Sequence, residues 1–241
     1  MKDLTKGKPS TLILAFALPI FFANLLQLTY SLVDTRIVGT FLGEDALAAV
    51  GATTTLSNLI IGFLQGLSGG FAIIIAQKFG AKDYKNVKKS FAMSLTMGTG
   101  IAIFFTVFGL LFLQPILNIL NVPSDLMATA KSYIFVIIAG LVATFLYDAC
   151  AAALRSLGDT VTPLVILAIS VALNIVGDLL FVVVLKSGVR GAAIATVLAQ
   201  AIAFVVCWIY MVKRYELLRL SREDFKDPNP VMVKNMLGAG M

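Results

Sequence analysis

The sequence predicts an all-α integral membrane protein of six transmembrane helices, and three observations carry that reading. First, 59% of the 241 residues are hydrophobic and only 13% are charged. Their mean hydropathy of +0.94 lies well outside the range of water-soluble domains. Second, charge-poor runs cover residues 12–38, 46–77, 90–121, 126–154, 161–185 and 191–212. Each reaches or exceeds the roughly 20 residues that a helix needs to cross about 30 Å of hydrocarbon. Third, with the N-terminus inside, fifteen of the 19 basic residues fall on the cytoplasmic side, and only Arg36, Lys131, Lys186 and Arg190 fall on the other. That asymmetry places both termini in the cytoplasm. It explains the net charge of +6 by topology and attraction to anionic lipid, with no nucleic-acid partner.

Taken in order, the first span carries Pro19 in its interior, where a missing backbone donor invites a kink. It ends in a polar segment with Asp34 and Arg36 instead of a small-residue cleavage site, so it is expected to remain as a helix. "TFLGEDAL" turns it into the second span, which is rich in small and hydroxyl residues such as Gly51, Thr54, Thr55, Gly62, Gly66 and Gly69. Close helix packing is the expected role of those residues, ahead of ligand contact. "KFGAKDYKNVKK" is a basic inner loop, "LNVPSD" an outer corner, and "RSLGDTVTP" joins the fourth span to the fifth. Pro163 sets a helix start near Thr160 or Thr162. The tail "RYELLRLSREDFKDPNP" has mixed charge and two prolines and reads as a partly helical surface linker. Beyond it "VMVKNMLGAGM" turns apolar again, as a seventh span would begin. The expected organisation is thus a six-helix lobe over 1–213, a cytoplasmic linker over 214–230 and the start of a further helix over 231–241.

Several chemistries are excluded. The chain has no His, which removes the zinc HExxH motif, Ser-His-Asp triads and histidine proton relays. Cys150 and Cys207 lie within spans at no ligand spacing and read as packing residues. "YDAC" and "SLGD" superficially suggest an intramembrane aspartyl protease. Asp148 and Asp159 stand on one helix and its loop, however, instead of facing each other from two helices. No enzyme activity and no cofactor are expected.

Three acids fall inside spans, and an acid at membrane depth is costly enough to be turned inward and kept for a function. Asp34 lies roughly 7 to 8 Å from the outer end of its helix at 1.5 Å per residue. Asp178 and Thr196 share that outer half, whereas Asp148 belongs to the cytoplasmic half near Arg155. Helical phase lines Asn24, Gln27, Ser31 and Asp34 along one stripe of the first span. Ser170, Asn174 and Asp178 line the fifth, and Thr196 and Gln200 the sixth. Converging, they would form a hydrated pocket whose carboxylates bind a proton or a small cation, with amide and hydroxyl oxygens as further donors. The competing reading is that Asp34 and Asp178 only hydrogen-bond neighbouring helices. For Asp148 a structural interaction with Arg155 is the favoured reading.

These residues also carry a family resemblance. "LPIFFANLLQLTYSLVDTRIVGTFLGEDALAAVG" resembles the first helix and turn of the multidrug and toxic compound extrusion (MATE) transporters. "LRSLGDTVTP" is similar to their loop between helices 4 and 5, and "NIVGDLLF" with "GVRGAAIATVLAQ" resembles helices 5 and 6. The resemblance implies an antiporter that exports amphipathic, often cationic organic compounds, driven by inward H⁺ or Na⁺ flow, in a multi-pass bacterial inner-membrane setting. It makes Asp34, Asn174, Asp178 and Thr196 the cation-linked cluster, and the metal ligands if the ion is Na⁺. Pro19 becomes the bend of helix 1, with Asn24, Gln27 and Gln200 as cavity-lining or gating residues. Two departures stand out: Arg36 replaces an apolar or small polar residue, and Asp148 stands where Asn is usual. Family members resemble two six-helix lobes in parallel repeat, so the chain matches an N-terminal lobe with a truncated seventh helix. Its expected partner is a missing C-terminal lobe or a second copy of itself. Two alternatives remain: a lipid-linked saccharide flippase, whose cavity would need basic residues that the spans lack, and an inactive half-transporter.

Overall fold

The computed structural model describes residues 9–225 and, beyond them, Val233, Asn235, Met236, Gly238 and Ala239. The N-terminal Lys2, Lys6 and Lys8, and Lys226 and Lys234, which entered the charge asymmetry, lie outside the described residues, as does most of 226–241.

All regular structure among the described residues is helical. Helix α1 (Pro9–Leu42) forms the first span and runs uninterrupted through Pro19. A single residue, Gly43 at φ 89°, separates it from α2 (Glu44–Gly80). That left-handed backbone suits glycine, and Glu44 and Asp45 follow in the first turn, where acids favour a helix N-terminus. Helix α3 (Tyr84–Leu111) is capped by Asp83, whose Oδ1 accepts the Asn86 N–H at 3.4 Å while its Oδ2 accepts the Asn86 side-chain amide at 2.7 Å. The short α4 (Leu113–Ile119) completes the third span.

The fourth span departs from the single straight helix expected. It consists of α5 (Met127–Ala139) and α6 (Leu141–Ser156), bent by 44° at Gly140. The bend falls where α8 (Gly188–Arg214) presses Val197 onto bare backbone: a Cβ on Gly140 would lie 2.3 Å from Val197 Cγ2. The fifth span is α7 (Val161–Asp178), continued by a π-helical segment Leu179–Val184 with Leu185 N–H bonded to the Leu180 carbonyl at 2.9 Å. Pro163 sits in its first turn. With α8, up to six spans result when the bent pair counts as one.

Helix α6 is the hub. Its Leu141, Phe145, Ala149, Cys150, Ala153 and Leu154 are buried in one core with residues of α2, α3 and α8, and Cys207 packs there as a free thiol. The close approaches are made by other glycines than those singled out in the second span. Gly98 of α3 lies under the Phe145 ring, where a Cβ would stand 1.8 Å from Cζ. Gly51, Gly62, Gly66 and Gly69 of α2 have nothing within 4 Å of such an atom. They occupy a face of α2 that this lobe leaves open. Elsewhere the surface is apolar, as a lipid-facing surface must be: Leu32, Leu59, Phe104 and Leu111 are all exposed.

At the end of the lobe shared by the loop 157–160 and the C-terminus of α8, Asp159 does two things. Its Oδ1 accepts the Thr162 N–H at 3.0 Å, which caps α7, and its Oδ2 accepts the Tyr215 hydroxyl at 2.7 Å. Burial, and then that hydrogen bond, push the Tyr215 phenol above its usual range. The following 3₁₀ turns, Glu216–Leu218 and Arg222–Phe225, bring Leu218 into the main core, fully buried. The stretch expected as a surface linker is therefore anchored as far as it is described, because its leucines find the apolar end of the bundle. Beyond it Met236 is fully buried against Leu67, Phe71, Ile74 and Met93.

Gly98→Ala should destabilise the lobe by about 1 to 3 kcal/mol, because Phe145 is enclosed and has no room to yield. Gly66→Ala, with open space around it, should be neutral or stabilising by up to about 1 kcal/mol. Unfolding midpoints of the two variants in detergent check this contrast.

Candidate cation site

Three helices bring the sequence-selected polar residues together in one half of the lobe, toward the C-terminal ends of α1 and α7. Helix α7 supplies Ser170, Asn174 and Asp178, all buried, with Asp178 fully so. Helix α8 supplies Thr196 and Gln200, and α1 supplies Gln27, Tyr30 and Asp34. The Asp34 and Asp178 carboxyls meet across the α1–α7 contact as hydrogen-bond partners. One oxygen of each, Oδ1 in both cases, is buried with no hydrogen-bond partner.

The neighbours of the pair are fully engaged. With its nitrogen toward Asp178 and its oxygen toward Thr196, the Asn174 amide is satisfied at both ends. The nitrogen donates to Asp178 Oδ2 at 3.0 Å, and the oxygen accepts from the Thr196 N–H at 3.1 Å. The Thr196 hydroxyl donates to the Ala192 carbonyl at 3.1 Å and receives the Tyr30 phenol at 3.0 Å. Ser170 ties α7 to α8 through the Ala199 carbonyl at 3.2 Å.

Space around the site is polarised. On the side of the acids toward the N-terminal ends of α1 and α7, an open pocket of about 300 Å³ is lined by Gln27, Tyr30, Leu167, Ser170, Val171, Asn174, Thr196, Ala199 and Gln200. Gln200 Oε1 there is buried without a donor. One helical turn beyond the acids in the opposite direction stand Val38 after Asp34, Val182 after Asp178 and Ala192 before Thr196. These belong to a single buried apolar cluster with Ala46, Val50 and Val189. The acids thus sit between a dry apolar seal on one side and a polar pocket on the other.

Phase accounts for which residues of α1 take part. At 100° per residue, Gln27 falls about 20° from Asp34 and Tyr30 about 40° to the other side, whereas Ser31 and Asn24 fall about 60° and 80° away. Asn24 does not line this pocket, unlike Gln27 and Gln200, although Asn24 and Gln27 are both exposed, and Pro19 lies more than two turns before Gln27 along α1. Tyr30 was missed in the stripe of amides and acids. Its signal was available: a tyrosine four residues before Asp34 needs a partner for its hydroxyl when buried. Asp148 stands apart from this set, with Oδ2 buried and unpartnered. It makes no ion pair with Arg155, although the two are close enough for Arg155 to act on it electrostatically.

Among the described residues no group of three or more His, Cys, Asp or Glu side chains converges. A cation here would have two carboxylates, and its other donors would come from Asn174 and Thr196. Thr196 is turned into the protein's own hydrogen bonds, and so is Asn174 when its amide nitrogen faces Asp178.

Tyr30→Phe and Thr196→Val should each destabilise the α1 contact. A double-mutant cycle on unfolding free energy should give a coupling of about 0.6 to 1.7 kcal/mol, the size of a hydrogen bond between membrane helices. Additive effects would show that the two hydroxyls do not act as a pair.

Comparison with known proteins agrees with the geometry. The profile of the MatE family matches residues 19–180. The Probable multidrug resistance protein YpnP of Bacillus subtilis (strain 168) is 31% identical over 211 residues, which cover 88% of this chain and 47% of that protein. The Probable multidrug resistance protein NorM of Thermotoga maritima is 28% identical over 213 residues, covering 85% of this chain and 45% of that protein. Among solved structures, a MATE protein in its straight conformation superposes with a TM-score of 0.91 at 26% identity, and in its bent conformation with 0.90 at 27%. Both cover 99% of this chain and 53% of the other. The chain therefore spans about half the length of the relatives it matches.

Proposed function

The chain belongs to the MatE family, and from that premise we propose that it forms the N-terminal lobe of a proton-coupled multidrug antiporter, with Asp34 and Asp178 as the coupling site. The single observation that carries this reading is the close carboxyl pair between α1 and α7, Asp178 fully buried and Asp34 partly, with one buried oxygen on each that has no partner. Two carboxylates in contact repel, and one proton shared between them removes the repulsion. Sodium fits the arrangement less well. Hard cations of this kind take about six oxygen donors, whereas two carboxylates, one amide and one hydroxyl converge here, and Thr196 is occupied by Tyr30 and Ala192. To bind the ion, Thr196 would have to give up these partners and Asn174 to face Asp178 with its oxygen.

Coupling to transport follows from how loosely α1 is held. No residue of its most apolar stretch is fully buried in the lobe, and its attachment combines packing along α7 with the Asp34–Asp178 and Tyr30–Thr196 contacts and the Val38 cluster. Proton loss converts the first contact from attraction to repulsion and frees α1 to move. Pro19, which deprives that helix of one backbone hydrogen bond, is the position where it would bend. A relative solved in straight and bent conformations fits the chain equally well in both.

The pocket itself is too small for the exported compound. Sites that enclose drug-sized ligands span about 300 to 1,000 Å³, and the 300 Å³ here includes its open mouth. It suits water and a proton. The exported substrates, amphipathic and often cationic organic compounds, would then use surface that the lobe completes with a second one: the other half of a full-length protein, or a second copy. The chain's segments 1–213, 214–230 and 231–241 would serve as lobe, cytoplasmic linker and entry to the next helix, with both termini cytoplasmic.

Ethidium efflux from proteoliposomes tests the proposal, using the chain alone and the chain extended by the second half of a relative. An imposed H⁺ gradient should drive efflux and a Na⁺ gradient should not. Asp178→Asn and Asp34→Asn should each lower it at least about a hundredfold with insertion intact, whereas Asp148→Asn should cost less than about threefold. Sodium-driven efflux, or wild-type efflux from Asp178→Asn, would overturn the assignment.

A further inference from the structure

The inner corner between α2 and α3 carries five lysines within twelve residues: Lys78, Lys82, Lys85, Lys88 and Lys89. None of them forms an ion pair within the lobe among the described residues. The local acid is Asp83, and it is spent on the Asn86 backbone and side chain as the cap of α3. Its carboxyl is held below the usual range, by the Asn86 hydrogen bond first and then by Lys78 and Lys85. Of the other acids at this end, Asp159 is committed to Thr162 and Tyr215 and Asp224 to Ser221, while Glu216 and Glu223 stand exposed on the 3₁₀ turns that pack against α3 and form no ion pair with these lysines. Arg219 is likewise spent, on the Val212 carbonyl at 2.6 Å.

Lys82 and Lys85 are exposed and Lys88 and Lys89 partly so, and these last two lie three and four residues after Lys85, on one flank of α3. Lys82 occupies the turn with φ 59°, a left-handed conformation where a helix end usually has glycine. Between them Tyr84 is 47% exposed, with its ring 6.4 Å from that of Phe79. A tyrosine with an apolar body and a polar tip suits the headgroup layer of a bilayer. Unpaired cations, a spent acid and an interfacial aromatic therefore share one corner at a membrane boundary.

We propose that the α2–α3 corner, through Lys82, Lys85, Lys88, Lys89 and Tyr84, is a docking surface for the headgroups of anionic phospholipids. Each lysine near a negatively charged leaflet adds to the attraction, which salt screens within a Debye length. The side of the membrane involved is cytoplasmic in the orientation proposed above. The surface itself does not depend on that orientation, nor on proton coupling.

The test uses the full chain with Tyr84→Trp as reporter in a Trp208→Phe background, reconstituted in vesicles that carry the same lipids in both leaflets. Quenching by brominated phosphatidylglycerol is compared with quenching by brominated phosphatidylcholine at equal mole fraction. The expected result is a preference of about threefold or more for phosphatidylglycerol, lost in 0.5 M NaCl at a Debye length of roughly 4 Å. It should also be lost in the Lys82→Gln, Lys85→Gln, Lys88→Gln, Lys89→Gln variant and kept when the same four are changed to Arg. Equal quenching by the two lipids in the parent protein would overturn the proposal without any variant. Displacement of phosphatidylglycerol by millimolar pyrophosphate would overturn it too, by making a soluble polyanion the occupant. Because the symmetric vesicles make the readout independent of orientation and efflux, its failure is separable from failure of the transport assignment.

Discussion

Two carboxyl groups pressed together inside an apolar bundle set the terms for the rest of this lobe. Asp34 and Asp178 sit where water is scarce, and neither has enough protein donors to carry a bare charge. Two like unit charges about 4 Å apart repel by about 4 kcal/mol at an effective dielectric constant of 20. A hydrogen bond between membrane helices contributes about 0.6 to 1.7 kcal/mol. The ionisation state of the pair therefore outweighs any one polar contact that holds α1. The hydrogen bonds of Asn174, Thr196 and Tyr30 then read as a frame: they fix where the carboxyls lie and leave the proton count as the variable.

The packing divides the lobe into a part that holds and a part that can move. Helices α2, α3, α6 and α8 close around Phe145, which uses Gly98 to come within contact of backbone. Dense interiors of this kind do not deform continuously. Helix α1 lies at the edge of that body, with most of its apolar side chains exposed and Ile37 and Val38 buried against the lobe. Moving it costs little buried apolar area, so a change of one charge at its single acid is large enough to matter.

Much of this was legible in the sequence, for reasons that differ by feature. The spans were legible because a bilayer demands some 20 apolar residues at a time, and the helices begin and end near the predicted runs. The acid–amide cluster was legible because Asn174, Asp178 and Thr196 keep helical spacing and matching depth. The bend at Gly140 was not, since it depends on Val197 arriving from a helix about 57 positions later. Nor was Tyr30, because an aromatic residue in a greasy span looks like lipid surface until Thr196 is found 3.0 Å from its hydroxyl. Asn24 lies apart from this pocket: steps of three, four and three keep residues loosely in line, yet the drift at 3.6 residues per turn turns the far end of the stripe away from Asp34. The glycines of α2 were read as packing sites on composition alone, and composition does not say which face meets a neighbour.

The seal and the site share their helices, and that has a mechanical consequence. Val38 follows Asp34 by one turn on α1, and Val182 follows Asp178 by one turn on the π-helical extension of α7. Any displacement of α1 large enough to part the carboxyls also draws Val38 out of the cluster with Val182 and Ala192. Under the proposed coupling, deprotonation and opening of the outer face are then one motion and not two. Water reaching the parted acids from outside supplies the next proton, re-pairing pulls α1 back, and the returning valine excludes the water that delivered it. The inner pocket, with the unmatched carbonyl of Gln200, stays polar throughout. A proton held by the closed pair is thus separated from the outside by side chains and from the inside by water alone.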